Sequence, residues 1–538
     1  MIEAYRRDYE DFNAQLMNES YLYNSGQKAQ LEIGPIYQRF GHLFDMEAIA
    51  RLQGELEGTP AHFESQRVSI THFLVFAVNQ YLDASVKGLT EEISREEAAA
   101  STGWRGRNMT FQDSAVAIST ESIRASRNDI YNWRLATIAA SNDLRAERIE
   151  KLHEAAALVA ISDGANHSAD DSDGIQGYGA TVVNGDLPSE GQAFAPARSA
   201  EPSCRSYAAL YRQLSGLDLE SIGRQCQSLL DKTESIYLKQ LNLALNSDLG
   251  IPIEEATRPD GMYFMHLPRF DDRFPAGGVT RAYRGTMEGL GINTERQNNI
   301  VIDDEARPHK APRAFCAPIR VPDDVRLVIR PFGGQADYIS FLHEGGHAQH
   351  YGWTSAALPS EFKYTGDPAL TETYAFLFNH LPSDALWLEE FLGFGDWGGF
   401  IRSSMLTRLF TVRRYAGKFI FEMKLHSGAA AAGTAGRYAD LLTDATRFKT
   451  SEAEYLFDLD DGFYSAGYLR AWAFEVGLRE YVTTRYGRRW WSNRRAGTFL
   501  REIWETGDRY NADEMAAQIG IGPIDFDLLT GDFLKALG

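Results

Sequence analysis

Phe341–Gly352 reads FLHEGGHAQHYG. Within it His343-Glu344-Gly345-Gly346-His347 forms an HExxH pattern. On a helix, residues four apart share a face, so His343 and His347 can offer two imidazoles to one metal ion. Glu344 follows the first of them directly, where its carboxylate can reach a water at the metal without itself ligating. A chance match arises in roughly one such sequence in fifty, so the pattern needs context. Two adjacent glycines inside a helix each cost about 1 kcal/mol relative to Ala, and that expense points to a close approach by a strand or a substrate.

A catalytic zinc wants a third protein ligand and one open position. His350 lies nearly on the same face, but one helical turn cannot easily wrap three ligands round an ion. Asp367 precedes Pro368 and reads better as a helix N-cap. Glu372 falls in the first turns of the helix that Asp367-Pro368 opens, running to about His380, and is favoured over both. Upstream, Phe315–Ile319 and Val325–Arg330 are short β-type runs joined by Pro322-Asp323-Asp324, a hairpin leading toward the HExxH helix. A strand there is an edge on which an extended peptide could pair.

The rest of the chain reads as mainly α with a small sheet. Residues 1–155 form an N-terminal helical region, with Ile70, Phe73, Leu74, Ala77, Val78 and Leu82 at helical spacing. Residues 128–154 form a surface helix or helix pair. Residues 156–205 read as a flexible insertion or linker rich in Gly, Ser and Asp. Its Asp170–Gly174 piece fails as a calcium loop, because the first and twelfth positions are Ala169 and Ala180. Residues 206–538 form a catalytic helical region, loop-like over Pro259–Gly278 and broken again at 427–436.

Composition narrows the function classes. The 538 residues carry 54 Lys+Arg against 74 Asp+Glu, a net charge of −20, which speaks against a nucleic-acid or anionic-membrane partner. The three cysteines, Cys204, Cys226 and Cys316, form no CxxC, so a thiolate zinc site is not expected. No N-terminal apolar stretch reads as a signal, and the longest apolar runs are far shorter than the ~20 residues of a membrane span, so a cytoplasmic protein is expected.

HExxH with a Glu 25 residues beyond the second His resembles the gluzincin metallopeptidases, and more narrowly the thimet oligopeptidase/oligoendopeptidase F family. GHAQHYG is similar to the continuation of that family's zinc helix. RRYAGKFIFEMKLH (Arg413–His426) and FYSAGYLRAW (Phe463–Trp472) resemble two later family segments. The resemblance covers about Phe315–Trp472, extends more weakly over the helical N-terminal half, where Ser206–Leu219 also matches, and omits 162–205. It implies a two-lobed helical body with a deep central channel, one catalytic Zn2+ at its floor, and hydrolysis of short peptides. His343, His347 and Glu372 match the zinc ligands, and Glu344 the general base. Tyr464 and Tyr468 match tyrosines that donate to the oxyanion, a contribution of roughly 3–4 kcal/mol in comparable sites. Two family features are missing. The stretch before the tyrosines, Leu459-Asp460-Asp461-Gly462, lacks a His found in some members, and Ala471 stands at a further tyrosine position. Arg413, Arg414 and Arg470 are minor candidates for a substrate carboxylate. His350, His380 and His426 read as structural. The expected partners are short peptides, with a monomer or small homo-oligomer. A carboxypeptidase or dipeptidyl carboxypeptidase on a similar body, and a catalytically silent peptide-binding relative, are the alternatives.

Overall fold

The computed structural model describes residues 2–159, 206–393, 395–428 and 431–538. The Asp170–Gly174 piece, Cys204 and nearly all of the insertion expected at 156–205 lie outside the described residues. Helices dominate. The N-terminal region contributes α1 (Ile2–Asn24), α2 (Glu64–Ala99), α3 (Arg124–Ala140) and α4 (Asn142–Leu158). The helical stretch read over 128–154 is thus a pair, broken at Ser141, and its second member runs three residues past 155. After the insertion come α5 (Tyr207–Ser215), α6 (Leu219–Asp248) and α7 (Arg258–His266). The site helices follow: α8 (Gln335–Trp353), α9 (Pro368–Asn379), α10 (Gly398–Leu425), α11 (Tyr464–Tyr486) and, near the C-terminus, α12 (Phe526–Leu537). One hydrophobic cluster runs from Tyr9 and Phe73 through Phe341 and Trp387 to Phe533, tying the first helix to the last. No described helix is long and apolar enough to cross a membrane.

Three local readings need correction. The N-terminal region is not purely helical. Strands β1 (Ser101–Trp104) and β2 (Arg107–Thr110) pair antiparallel across Arg105-Gly106, both of which have positive φ. Arg in that conformation gives no sequence warning, which is why the hairpin is invisible beforehand. Pro259–Gly278 is not a loop either. Pro259 and Asp260 are helix-start signals, with Thr257 and Asp260 forming a capping box that opens α7, and short 3-10 turns follow at Pro268–Arg273 and Ala276–Gly278. The expected hairpin is present as β4 (Phe315–Arg320) and β5 (Asp324–Val328), but it belongs to a three-stranded sheet. The third member, β3 (Ile300–Asp303), pairs parallel with β5, so β5 is central and β4 is an edge. Pro318 sits on β4, where a missing N–H is tolerable. On one face Ala317, Ile319 and Val328 pack with Tyr21 of α1.

Candidate functional site

The sheet and two helices build the site. Asp337, in the first turn of α8, accepts hydrogen bonds from Phe332 N (2.6 Å) and Gly333 N (2.7 Å), fixing how the chain leaves the sheet and enters the helix. Asp367 caps α9 through Ala369 N at 3.0 Å, with Pro368 in the first helical position. At Gly346 these two helices approach backbone to backbone. A Cβ on Gly346 would lie 2.7 Å from Ala375 Cα and 2.8 Å from Tyr374 O, while one on Gly345 would enter the Tyr283 ring at 2.4 Å. The glycine pair therefore admits a neighbouring helix and an aromatic ring, rather than the strand or substrate expected from the sequence. Gly346→Ala forces two backbones apart. We expect a loss of at least about 1–3 kcal/mol and weakened metal retention, read by thermal unfolding with and without chelator. Wild-type stability in this variant would disprove the close-packing account.

At this contact His343, His347 and Glu372 converge, with one donor atom from each lying within 4.8 Å of the others. His343 Nε2 is 3.4 Å and His347 Nε2 3.7 Å from Glu372 Oε2. That oxygen is buried and has no hydrogen-bond partner. Such an orphaned carboxylate oxygen facing two imidazole nitrogens fits a metal ion with a His-His-Glu donor set. His347 Nδ1 lies 2.9 Å from Thr371 Oγ1. For Nε2 to serve as a metal donor the proton must sit on Nδ1, where Thr371 Oγ1 is placed to accept it.

The charges are arranged accordingly. Burial raises the Glu372 carboxyl, but His343, His347 and the Tyr464 hydroxyl outweigh it and hold the pKa below the usual carboxylate value. Burial takes His347 down to about 4, so its imidazole is neutral and available as a donor. For His343 burial is overcome by Glu372 and Glu344, and the pKa rises. Glu344 is lifted to about 7, chiefly by burial, against His343 and a backbone donor. That donor is Cys316 N on β4, 2.9 Å from Glu344 Oε2. The edge strand thus holds the carboxylate beside His343 and His347. This contact and Thr371 escape sequence reasoning. A backbone N–H has no letter in the sequence, and only the position of Thr371 next to Glu372 could have drawn notice.

Tyr464 and Tyr468 open α11 and face the same place. Tyr464 OH donates to Glu372 Oε1 at 3.0 Å. The Tyr468 ring packs 5.0 Å from that of Tyr464, with Phe376, Tyr415 and Trp472 around it. Burial, reinforced by the Glu372 charge, pushes both phenols above their ordinary pKa, so both remain O–H donors. The remaining candidates are engaged elsewhere. Arg413 is buried and bonds Ala445 O, Leu230 O, Thr233 and Glu234. Arg414 pairs with Asp458, and Arg470 with Asp367 and Asp513. None of the three is free for a substrate carboxylate. His350 is buried beside Thr371 (3.3 Å), His380 lies 3.1 Å from Arg408, and His426 lies 2.9 Å from His153.

Behind α8 and α9 lies Asp508, buried against Gly366. Burial, with Asp367 adding its charge, raises its carboxyl to about 7. The unfolded chain ionises Asp near 3.9. A raised folded pKa means that the fold binds the proton more tightly, so this group costs nothing below about pH 4 and destabilises progressively up to about pH 7. Asp508→Asn is therefore expected to gain stability over the parent at about pH 8 and not at about pH 4, measured by chemical denaturation. An equal change at both values would reject this assignment.

No family model and no curated protein matches the sequence. Solved structures do resemble the fold. PZ peptidase A with an inhibitor superposes with a TM-score of 0.65 at 12% identity, covering 99% of this chain and 90% of that one. A Bacillus anthracis protein assigned as oligoendopeptidase F gives 0.61 at 12% identity, with 98% and 88% covered. Trypanosoma cruzi metallocarboxypeptidase 1 gives 0.60 at 12% identity, with 99% of both chains covered. At such identities the likeness is one of fold.

Proposed function

We propose that this chain is a zinc-dependent peptidase acting on short peptides, with internal cleavage as the leading reading. The convergence of His343, His347 and Glu372, with Glu344 on the same helix, carries this reading. The shared fold with PZ peptidase A and the oligoendopeptidase F protein supports it. Two imidazoles and one carboxylate suit zinc, and three protein ligands leave a position open. When bound, zinc supplies Lewis acidity toward a peptide carbonyl and lowers the pKa of water.

The chain's own groups do the remainder. On edge strand β4 the Cys316 N–H is taken by Glu344 and Pro318 has none, so the strand's outward carbonyls are the groups that accept from an extended peptide and align it beside α8. Glu344 takes the proton from the attacking water and later delivers it to the leaving amine nitrogen. Tyr464 and Tyr468, kept protonated by burial, donate to the carbonyl oxygen as it gains charge.

A carboxypeptidase is the second reading, favoured by the full-length match to metallocarboxypeptidase 1. Product mapping on peptides with free and amidated C-termini separates the two. Internal cuts in the amidated peptide are expected. Release of single C-terminal residues from free termini alone would make the enzyme a carboxypeptidase. No cleavage by zinc-loaded protein would leave a peptide-binding protein.

A further inference from the structure

The loop before α11 is held in an unusual way. Gly462 (φ 68°) and Phe463 (φ 54°) are consecutive left-handed residues, and the second pays for that conformation with a side chain. Tyr464 follows at once. α11 has no side-chain N-cap of its own, so nothing local sets the direction of its first turn. That role passes to Glu422, fully buried on α10. Its Oε1 accepts from Asp460 N at 3.0 Å, before the left-handed pair. Its Oε2 meets Ser465 Oγ, after the pair. One carboxyl group thus brackets the turn from both ends. Lys418, one turn earlier on α10, holds the Asp460 side chain at 2.6 Å. From the opposite side, Tyr207 OH of α5 accepts from Gly462 N at 2.8 Å, and the Tyr211 ring lies where a Cβ on Gly462 would sit, 2.9 Å away. Burial lifts the Glu422 carboxyl to about 8 in spite of Lys418, so a glutamine is close to it in charge as well as shape.

We infer that Glu422 is a positioning residue for the two phenols: by clamping Asp460 N and Ser465 Oγ, it fixes the left-handed turn that aims Tyr464 and Tyr468 at the metal-ligand Glu372. This rests on the peptidase reading above, in which those phenols act on the substrate. It assigns a structural cause to their placement in a chain whose preceding stretch, Leu459-Asp460-Asp461-Gly462, contains no His.

The test compares Glu422→Leu, Glu422→Gln and Ser465→Ala in zinc-loaded protein, alone and combined with Tyr464→Phe/Tyr468→Phe. Glu422→Leu is expected to lower kcat roughly ten- to a hundredfold with KM nearly unchanged and zinc content intact. Glu422→Gln should restore most of the loss, and Ser465→Ala should fall between. In the background without phenols, Glu422→Leu should cost little more, because its effect runs through them. Deuterium exchange of the 460–465 amides, read by mass spectrometry, should accelerate in Glu422→Leu and not in Glu422→Gln. If Glu422→Leu fails to fold, Ser465→Ala carries both readouts. An equal kcat loss with and without the phenols, or unchanged exchange, overturns the inference. Faster exchange in Glu422→Leu than in the parent, in a protein whose parent form cleaves no peptide, would uphold the clamp and overturn the peptidase reading and the role built on it.

Discussion

Glu344→Gln is expected to lower kcat by roughly 10²–10⁴-fold while zinc binding and KM stay near the parent values. The glutamine oxygen can still accept from Cys316 N, so the contact to β4 survives. His343 and His347 keep their places on α8, and the proposed His-His-Glu donor set is untouched. What is lost is the capacity to hold a proton. In the parent, burial raises the Glu344 carboxyl to about 7, against the pull of His343 and of the Cys316 N–H. That is close to the working pH, where a base is both substantially ionised and strong enough to accept a proton. The measurement is turnover of a quenched peptide with the zinc content of each sample determined in parallel. Undiminished kcat at full zinc occupancy would remove Glu344 from the reaction.

Glu372→Gln acts on the metal rather than on the proton. The substitution conserves volume, and Tyr464 OH can still donate to the amide oxygen as it does to Oε1 at 3.0 Å. The orphaned Oε2, however, becomes an amide NH2 facing the Nε2 atoms of two imidazoles. A carboxylate donor is replaced by a weak one, and an anion that balances the cation's charge disappears. Zinc affinity is expected to drop by more than the roughly 10–100-fold that loss of an outer hydrogen-bond partner costs. Activity at limiting zinc should vanish, and the thermal stabilisation that zinc gives the parent should shrink in step with the lost affinity. A chelator competition with circular dichroism on the same samples checks both. Parental zinc affinity in Glu372→Gln would mean that the ion sits elsewhere.

Part of this site is legible in the sequence, and part is not. The HExxH helix, the start of α9 at Asp367-Pro368 and the place of Glu372 follow from helical spacing and capping chemistry, which are local. The β4–β5 hairpin is local as well. The partner strand β3 is not. Ile300–Asp303 is four residues long, and it joins the sheet in parallel across a gap in sequence that no short-range pattern reports. The glycine pair was legible as a sign of close approach, yet which group approaches depends on tertiary packing. Glu422 sits in a stretch read only as a family-like helix, and its contacts lie 38 and 43 residues further along the chain. Pro259 and Asp260 give an ambiguous signal, because the same residues open turns and helices alike.

The Asp367 carboxylate does more than cap a helix. It accepts from Ala369 N in α9, from Arg470 in α11 at 2.9 Å, and from Ala512 N in the following segment at 3.0 Å. The helix that carries Glu372 and the helix that carries Tyr464 and Tyr468 are therefore riveted through one side chain. Glu372 and the phenols across from it become a single mechanical part. A shift of either helix relative to the other must stretch the Asp367 contacts, which ties the spacing between Glu372 and the phenols to one carboxylate. The same rivet makes failure collective: once it opens, both halves of the site lose registration in one step.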